Sequence, residues 1–238
     1  MNERRWSRRL ARTLRALTKQ CPPLRPLLPA AVIAVSWSAC HVGEDPLVAF
    51  LGDSLTSGWR LSEDEAWPAH VGRTLAARHR PIRVLNAGVS GDTVAQGLAR
   101  LPGVLAHQPD VLVVALGVND GLRGLPLEDV EVGLRRILEE GRAAGSQLLL
   151  VGVRLPDRDD DRARRFEQIF ARLATEQKVA LVPDLLTGVA GHSEFLFGDG
   201  LHPNAAGHLR LAVNVRSHLE RILAALEGRT SGTPDPAC

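Results

Sequence analysis

Leu47-Val48-Ala49-Phe50-Leu51-Gly52-Asp53-Ser54 is an apolar run that stops at Gly-Asp-Ser. Five apolar residues without polar alternation predict a strand buried on both faces. Gly-Asp-Ser then predicts a turn into a helix, since Asp and Ser favour helix starts. The same unit recurs down the chain. Predicted strands are Leu47–Leu51, Ile82–Leu85, Val111–Leu116, Leu148–Val153 and Ala180–Val182. Amphipathic stretches between and after them predict helices over Trp67–Arg78, Thr93–Leu105, Leu127–Ala144, Asp160–Gln177 and Asn204–Leu226. Pro203 suits the first position of the last helix. Repeated strand–helix alternation predicts an α/β fold with a five-stranded, doubly wound parallel sheet. In such sheets ligands sit beyond the carboxyl ends of the strands. Gly52-Asp53-Ser54, residues 86–91 and Gly117–Asp120 should therefore converge there.

The chain has 238 residues, 45% hydrophobic and 24% charged, which suits one domain with a sizeable core. It contains no Tyr, so no step or stacking contact can depend on one. Its net charge of +2 hides two unlike parts. Residues 1–39 hold eight Lys/Arg against one acid, Glu3, while the rest holds 21 bases against 26 acids. The body is mildly acidic, so the basic isoelectric point gives no reason to expect a nucleic-acid partner.

Residues 1–40, the basic head, read as a signal or membrane-targeting segment. Arg4 to Arg25 is followed by an apolar stretch, Leu27 to Ala39, that is short for a bilayer span. The stretch ends Ser36-Trp37-Ser38-Ala39-Cys40, which resembles a bacterial lipoprotein cleavage site with Cys40 as the lipidated residue. Ser7-Arg8-Arg9-Leu10 loosely resembles a twin-arginine signal. The expectation is export, to the periplasm or to a membrane attached through this segment. The alternative is a cytoplasmic chain whose Trp6, Leu10, Leu14 and Leu17 share one face of a surface helix. The domain is expected over residues 45–226 and a flexible tail over 227–238. Cys21, Cys40 and Cys238 form no disulfide framework, and the His, Cys and acid spacings give no zinc site.

Ser54 follows a predicted strand and opens a predicted helix, whose first N–H groups favour negative charge. A serine hydroxyl is a weak nucleophile until a base takes its proton. Asp199 and His202, three residues apart in a glycine-flanked loop, supply such a base with a carboxylate to hold its tautomer. One Asp and one His are too few ligands for a metal. Gly91 permits close approach of its backbone N–H to a ligand. Asn119 carries a side-chain NH₂ suited to an oxyanion. Each cluster alone is also an ordinary turn or cap. His41, His79, His107, His208 and His218 read as surface or helix positions, while His70 and His192 lack a comparable acid partner.

Taken together and in this order, the four clusters resemble the SGNH (GDSL-type) hydrolase family. Ser54, Gly91, Asn119 and His202 would be its four signature residues, with Asp199 completing the triad. The runs Ser90-Gly-Asp-Thr93, Gly97-Leu-Ala-Arg-Leu-Pro102, His107-Gln-Pro109, Asn119-Asp-Gly-Leu-Arg-Gly124, Arg154-Leu-Pro156 and Asp199-Gly-Leu-His-Pro-Asn204 resemble its thioesterase I / arylesterase / lysophospholipase subgroup. The resemblance spans about residues 47–225. It implies a flavodoxin-like three-layer α/β/α sandwich, hydrolysis of esters and thioesters, and no cofactor. It also implies an oxyanion site at the Ser54 N–H, Gly91 and Asn119, and substrate contacts from Asp120, Leu155 and Pro156. The implied partner is a small-molecule acyl ester or thioester. Trp59 stands where the subgroup has Tyr, and Val118 where it has Gly. The stretch Asp157 to Arg165 is highly charged where the subgroup has an Asn-Tyr-Gly-type loop that helps bound the acyl site.

Other readings rank lower. A carbohydrate O-deacetylase shares the fold, but the Gly97–Pro102 and Asn119–Gly124 runs favour the acyl-esterase subgroup. A non-catalytic binding module would be expected to lose Ser54, Asp199 or His202. A nucleotide-binding protein would need a Gly-x-Gly-x-x-Gly or Gly-x-x-x-x-Gly-Lys run, and an α/β-hydrolase a Gly-x-Ser-x-Gly elbow; none is present.

Overall fold

The computed structural model describes residues 44–156 and 160–230. The basic head, Cys40 and its expected lipidation, Asp157 to Asp159 and residues 231–238 lie outside the described residues. Five strands form one sheet: β1 (Leu47–Gly52), β2 (Arg83–Gly88), β3 (Val111–Ala115), β4 (Gln147–Val151) and β5 (Ala180–Val182). Their order is β2-β1-β3-β4-β5 and every pairing is parallel. Seven α-helices accompany them among the described residues: α1 (Ser54–Ser57), α2 (Trp67–Ala76), α3 (Val94–Leu105), α4 (Val118–Leu122), α5 (Leu127–Ala143), α6 (Asp161–Gln177) and α7 (Ala205–Thr230).

The strand order fixes the layers. From β1 the chain steps outward to β2, then returns past β1 to β3, β4 and β5. Right-handed crossovers therefore put α2 on one face and α3, α5 and α6 on the other. The contacts agree: α2 packs on α7, while α3 packs on α5 and α5 on α6. The result is the α/β sandwich expected from the sequence.

Central strands are the most apolar because both faces are covered. Val48 to Leu51 and Val111 to Val114 have no exposed surface. Each large side chain so buried contributes about 1.5–3 kcal/mol. Phe50 meets Trp67 of α2 edge-on at 5.0 Å between ring centroids. The edge strand β2 departs from the reading of strands buried on both faces, since Arg83 and Val84 are exposed. It also runs three residues past Leu85. Asn86 extends it by donating from Nδ2 to Thr56 O at 3.1 Å and accepting from Gly88 N at 3.0 Å.

Helix ends follow local chemistry. Thr93 and Gln96 form a capping box at α3: the Thr93 hydroxyl accepts from Gln96 N, and Gln96 Oε1 accepts from Thr93 N. Pro203 does not occupy the first position of α7. It pairs with Leu196 in an antiparallel bridge, and Asn204 takes the cap by accepting from Gly207 N at 3.0 Å. At its far end α7 continues through Gly228 to Thr230, into the expected tail.

His208, read as a surface or helix position, lies on α7 but is buried, with 1% of its surface exposed. Its Nδ1 accepts the Trp67 N–H at 3.0 Å, which joins α2 to α7. Burial, with a smaller push from His70, lowers the His208 pKa to about 4. The unfolded chain titrates near the ordinary value of about 6.5. Between those values the unfolded chain binds a proton that the folded chain does not. The stabilising contribution is complete above the higher value and is lost as pH falls towards the lower one, by up to about 3 kcal/mol. His208→Asn keeps an acceptor and removes the titration. The urea midpoint of the native protein should fall more steeply than that of the variant between neutral pH and about pH 4.5. Equal losses in both would acquit His208.

Candidate active site

Ser54 sits where β1 runs into α1. Asp53 caps that short helix, accepting the Leu55 N–H at 2.9 Å. The turn is tight: a Cβ on Gly52 would lie 2.0 Å from the Thr56 hydroxyl, so only glycine fits. Ser54 is 8% exposed. Its hydroxyl lies 3.1 Å from His202 Nε2, and His202 Nδ1 lies 2.9 Å from Asp199 Oδ2.

The tautomer follows from the carboxylate. Asp199 Oδ1 accepts the backbone N–H groups of His202 and Leu201 at 3.0 and 2.9 Å. Those two bonds, with the imidazole, hold its pKa down to about 2. A carboxylate can only accept, so Nδ1 of the neutral imidazole carries the proton and donates it to Asp199. Nε2 is left as an acceptor facing the Ser54 hydroxyl. An imidazole so placed can take the proton of the serine as its oxygen attacks.

The loop carrying Asp199 and His202 is closed on itself. Phe197 N donates to His202 O at 2.8 Å, and Gly200 N to Phe197 O at 2.9 Å. Asn204 Nδ2 donates to the carbonyls of Glu194 and Leu196, tying the loop to the start of α7.

Gly91 and Asn119 face the same cleft. It has a volume of ≈340 Å³ and is lined by Ser54, Gly91, Asn119 and His202 together with Trp59 and Leu201 among others. Gly91 has φ +86°, which glycine adopts without strain, and Arg123 donates to its carbonyl at 2.8 Å. Asn119 Nδ2 donates one hydrogen to Asp92 O at 3.0 Å, which leaves its second hydrogen available. Three strand ends thus meet around one point, at the β1/β3 position where the chain direction across the sheet reverses.

The sequence profile of the GDSL-like Lipase/Acylhydrolase family matches residues 50–210. The chain belongs to that family. It is 38% identical to the esterase TesA of Pseudomonas aeruginosa over 175 residues, 73% of this chain and 87% of that protein. It is 42% identical to the thioesterase 1/protease 1/lysophospholipase L1 of Escherichia coli (strain K12) over 156 residues, 65% of this chain and 74% of that one. Its fold superposes on the crystal structure of TesA with a TM-score of 0.71 at 36% identity, covering 74% of this chain and 99% of that chain.

In this GDSL-family hydrolase Leu155 and Pro156 line a second lobe of ≈390 Å³, which shares Val118, Leu122, Leu186 and Leu201 with the first. Asp120 lines neither lobe, unlike the substrate contact expected of it. It is 4% exposed, and its Oδ2 accepts the Val94 N–H at 3.0 Å, so it anchors the first turn of α3. Val118, Asn119 and Leu122 of α4 line the cleft, while Asp120 turns to the Val94 N–H. Burial raises the Asp120 pKa. Burial also pushes Asp53 up to about 7, the Leu55 N–H opposing this and the Asp120 and Asp92 charges reinforcing it.

The described part of the charged stretch does not enter the cleft. Asp160 caps α6 through Arg162 N, the Arg162 side chain donates to Leu125 O, and Arg165 pairs with Glu128 at 3.9 Å. Residues 161–165 are helix, as expected of the stretch from Asp160; Arg162 and Arg165 reach the start of α5, and Arg164 pairs with Asp161.

Several residues around the site carried no clear sequence signal. Arg100 donates from Nε to Asp92 Oδ2 at 2.6 Å and from Nη2 to Gly52 O at 2.8 Å. It thereby ties the strand before Ser54 to the peptide that holds Asn119. Its place in the Gly97–Pro102 run was the available clue. Leu186 lines both lobes, and nothing in its own segment marks it.

Proposed function

We propose that the protein hydrolyses acyl esters and thioesters through Ser54, His202 and Asp199 by way of an acyl-enzyme. The observation that carries this reading is the hydrogen-bonded chain from Asp199 through His202 to the Ser54 hydroxyl, opening on a cleft that also presents Gly91 and Asn119. Ser54 Oγ attacks the acyl carbon while its proton passes to His202 Nε2. The carbonyl oxygen becomes an oxyanion that accepts from the Ser54 N–H, the Gly91 N–H and the free Asn119 Nδ2 hydrogen. The intermediate collapses, and the leaving alcohol or thiol takes the proton from His202. Water then attacks the Ser54 ester and gives its proton to His202. The acid departs as Ser54 regains its hydrogen. Asp199 stays ionised throughout and steadies the imidazolium.

The names of the two relatives, an esterase and a thioesterase 1/protease 1/lysophospholipase L1, support esters, thioesters and lysophospholipids as substrates. The lobe at Leu155 and Pro156 supports an apolar acyl group extending from the Ser54 cleft. The basic head and the Ser-Ala-Cys40 sequence support export, with the domain working outside the cytoplasm or at a membrane surface. Initial rates on p-nitrophenyl esters from acetate to palmitate test the reading. Activity that persists beyond the shortest esters is the expected result. Absence of turnover on every ester and on acyl thioesters would refute it.

A further inference from the structure

Trp59 lies flat on His202. The ring centroids are 4.1 Å apart and the planes are 28° from parallel. The Arg60 guanidinium carbon also lies over this indole, 4.1 Å from its centroid. Phe197, from the loop that bears His202, meets the indole edge-on at 6.0 Å. The backbone bends sharply to deliver this arrangement. Gly58 has φ +77° and Arg60 φ +64°, on either side of Trp59. A left-handed arginine is uncommon, and such strain gathers at functional sites.

The stack answers a need created by Asp199. That carboxylate is a third exposed on its side chain, on a loop bracketed by Gly198 and Gly200. A hydrogen bond so open to water restrains the imidazole in one direction only. Its ring can still roll about the axis from Asp199 to Ser54. A flat apolar surface against one face removes that freedom. The same face attracts the ring more strongly once it becomes imidazolium.

We infer that Trp59 is a positioning residue for His202, held in place by Arg60, and that it acts on the chemical step rather than on substrate affinity. The inference rests on the reading of His202 as general base. The test uses the full chain with Trp59→Leu, which keeps apolar bulk without a ring, Trp59→Phe, which keeps a ring, and the exposed-site variant Arg60→Gln. Trp59→Leu should lower kcat on a short p-nitrophenyl ester about tenfold with KM within about twofold, and Trp59→Phe should recover most of the loss. Arg60→Gln should lower kcat by about two- to fivefold in the same pattern, and it leaves the buried packing untouched if the Trp59 variants fold poorly. The His202 Hε1 proton resonance, assigned with His202→Gln, reports the contact without any turnover. It should lie upfield in the native protein under the indole ring current and move downfield in Trp59→Leu. An unchanged kcat, a change in KM alone, or equal losses in Trp59→Leu and Trp59→Phe would overturn the inference while the native enzyme remains active. A native enzyme without esterase activity would instead remove the general-base reading, and this role with it, even if the upfield resonance is found.

Discussion

Ser54→Ala should abolish turnover, lowering kcat on a short p-nitrophenyl ester by about 10⁵-fold or more. The size follows from the role. Without Oγ there is no acyl-enzyme, and His202 has no proton to take. Residual rates would come only from oxyanion donors acting on water, which typically leave about 10³- to 10⁴-fold over the uncatalysed reaction. The fold should be indifferent. The hydroxyl's hydrogen bond in the structure is with His202, and the Asp53 cap uses a different side chain. Circular dichroism and the urea midpoint should therefore match the native protein. Intact mass after exposure to a phosphonate ester gives an independent check, with one adduct on the native chain and none on the variant. A fully active Ser54→Ala would end the proposed mechanism.

Asp199→Asn is the second large effect, with kcat expected to fall about 10³- to 10⁴-fold. The amide can donate as well as accept, so it no longer dictates which imidazole nitrogen carries the proton. It also removes the charge that steadies the imidazolium. The Asp199 pKa of about 2 gives a sign for pH dependence. Because its folded value is depressed below the ordinary carboxylate range, its contribution to stability is present above that range and is lost as pH falls through about 2. Over the working range of an esterase Asp199 remains charged, so its titration should not shape the pH–rate profile above about pH 4. A limb above that point assigned to Asp199, or an Asn variant with more than a tenth of native kcat, would remove it from the triad.

The parts of this protein that were legible in its sequence share one property. They are set by local chemistry within about ten residues. β1 and β3 are apolar in sequence, the amphipathic run from Thr93 marks α3, and Gly-Asp-Ser ends a strand. The strand ends brought Ser54, Gly91 and Asn119 together because parallel sheets gather loops at one edge. What was misread depends on partners far along the chain. Asn86 looks like a turn residue until Thr56 O accepts its amide across 30 residues of sequence. Asp120 belongs to a run that resembles substrate-binding sequence in the family, yet its carboxylate accepts the N–H of Val94, 26 residues back. His208 looks like one helical histidine among several until Trp67, 141 residues away, needs an acceptor. Trp59 stood out only as a departure from the family pattern, and its contact with His202 is a tertiary fact.

The proposed nucleophile and base are separated by 148 residues. At ribosomal rates of about 5–20 residues per second, roughly 7 to 30 s pass between the synthesis of Ser54 and that of His202. During that interval the nascent chain carries a serine with no base to arouse it. Even then the loop waits for Asn204 and the start of α7 to hold it shut. Under the proposed mechanism, a chain halted before His202 has no base for Ser54, and hydrolysis waits for the final stretch of translation.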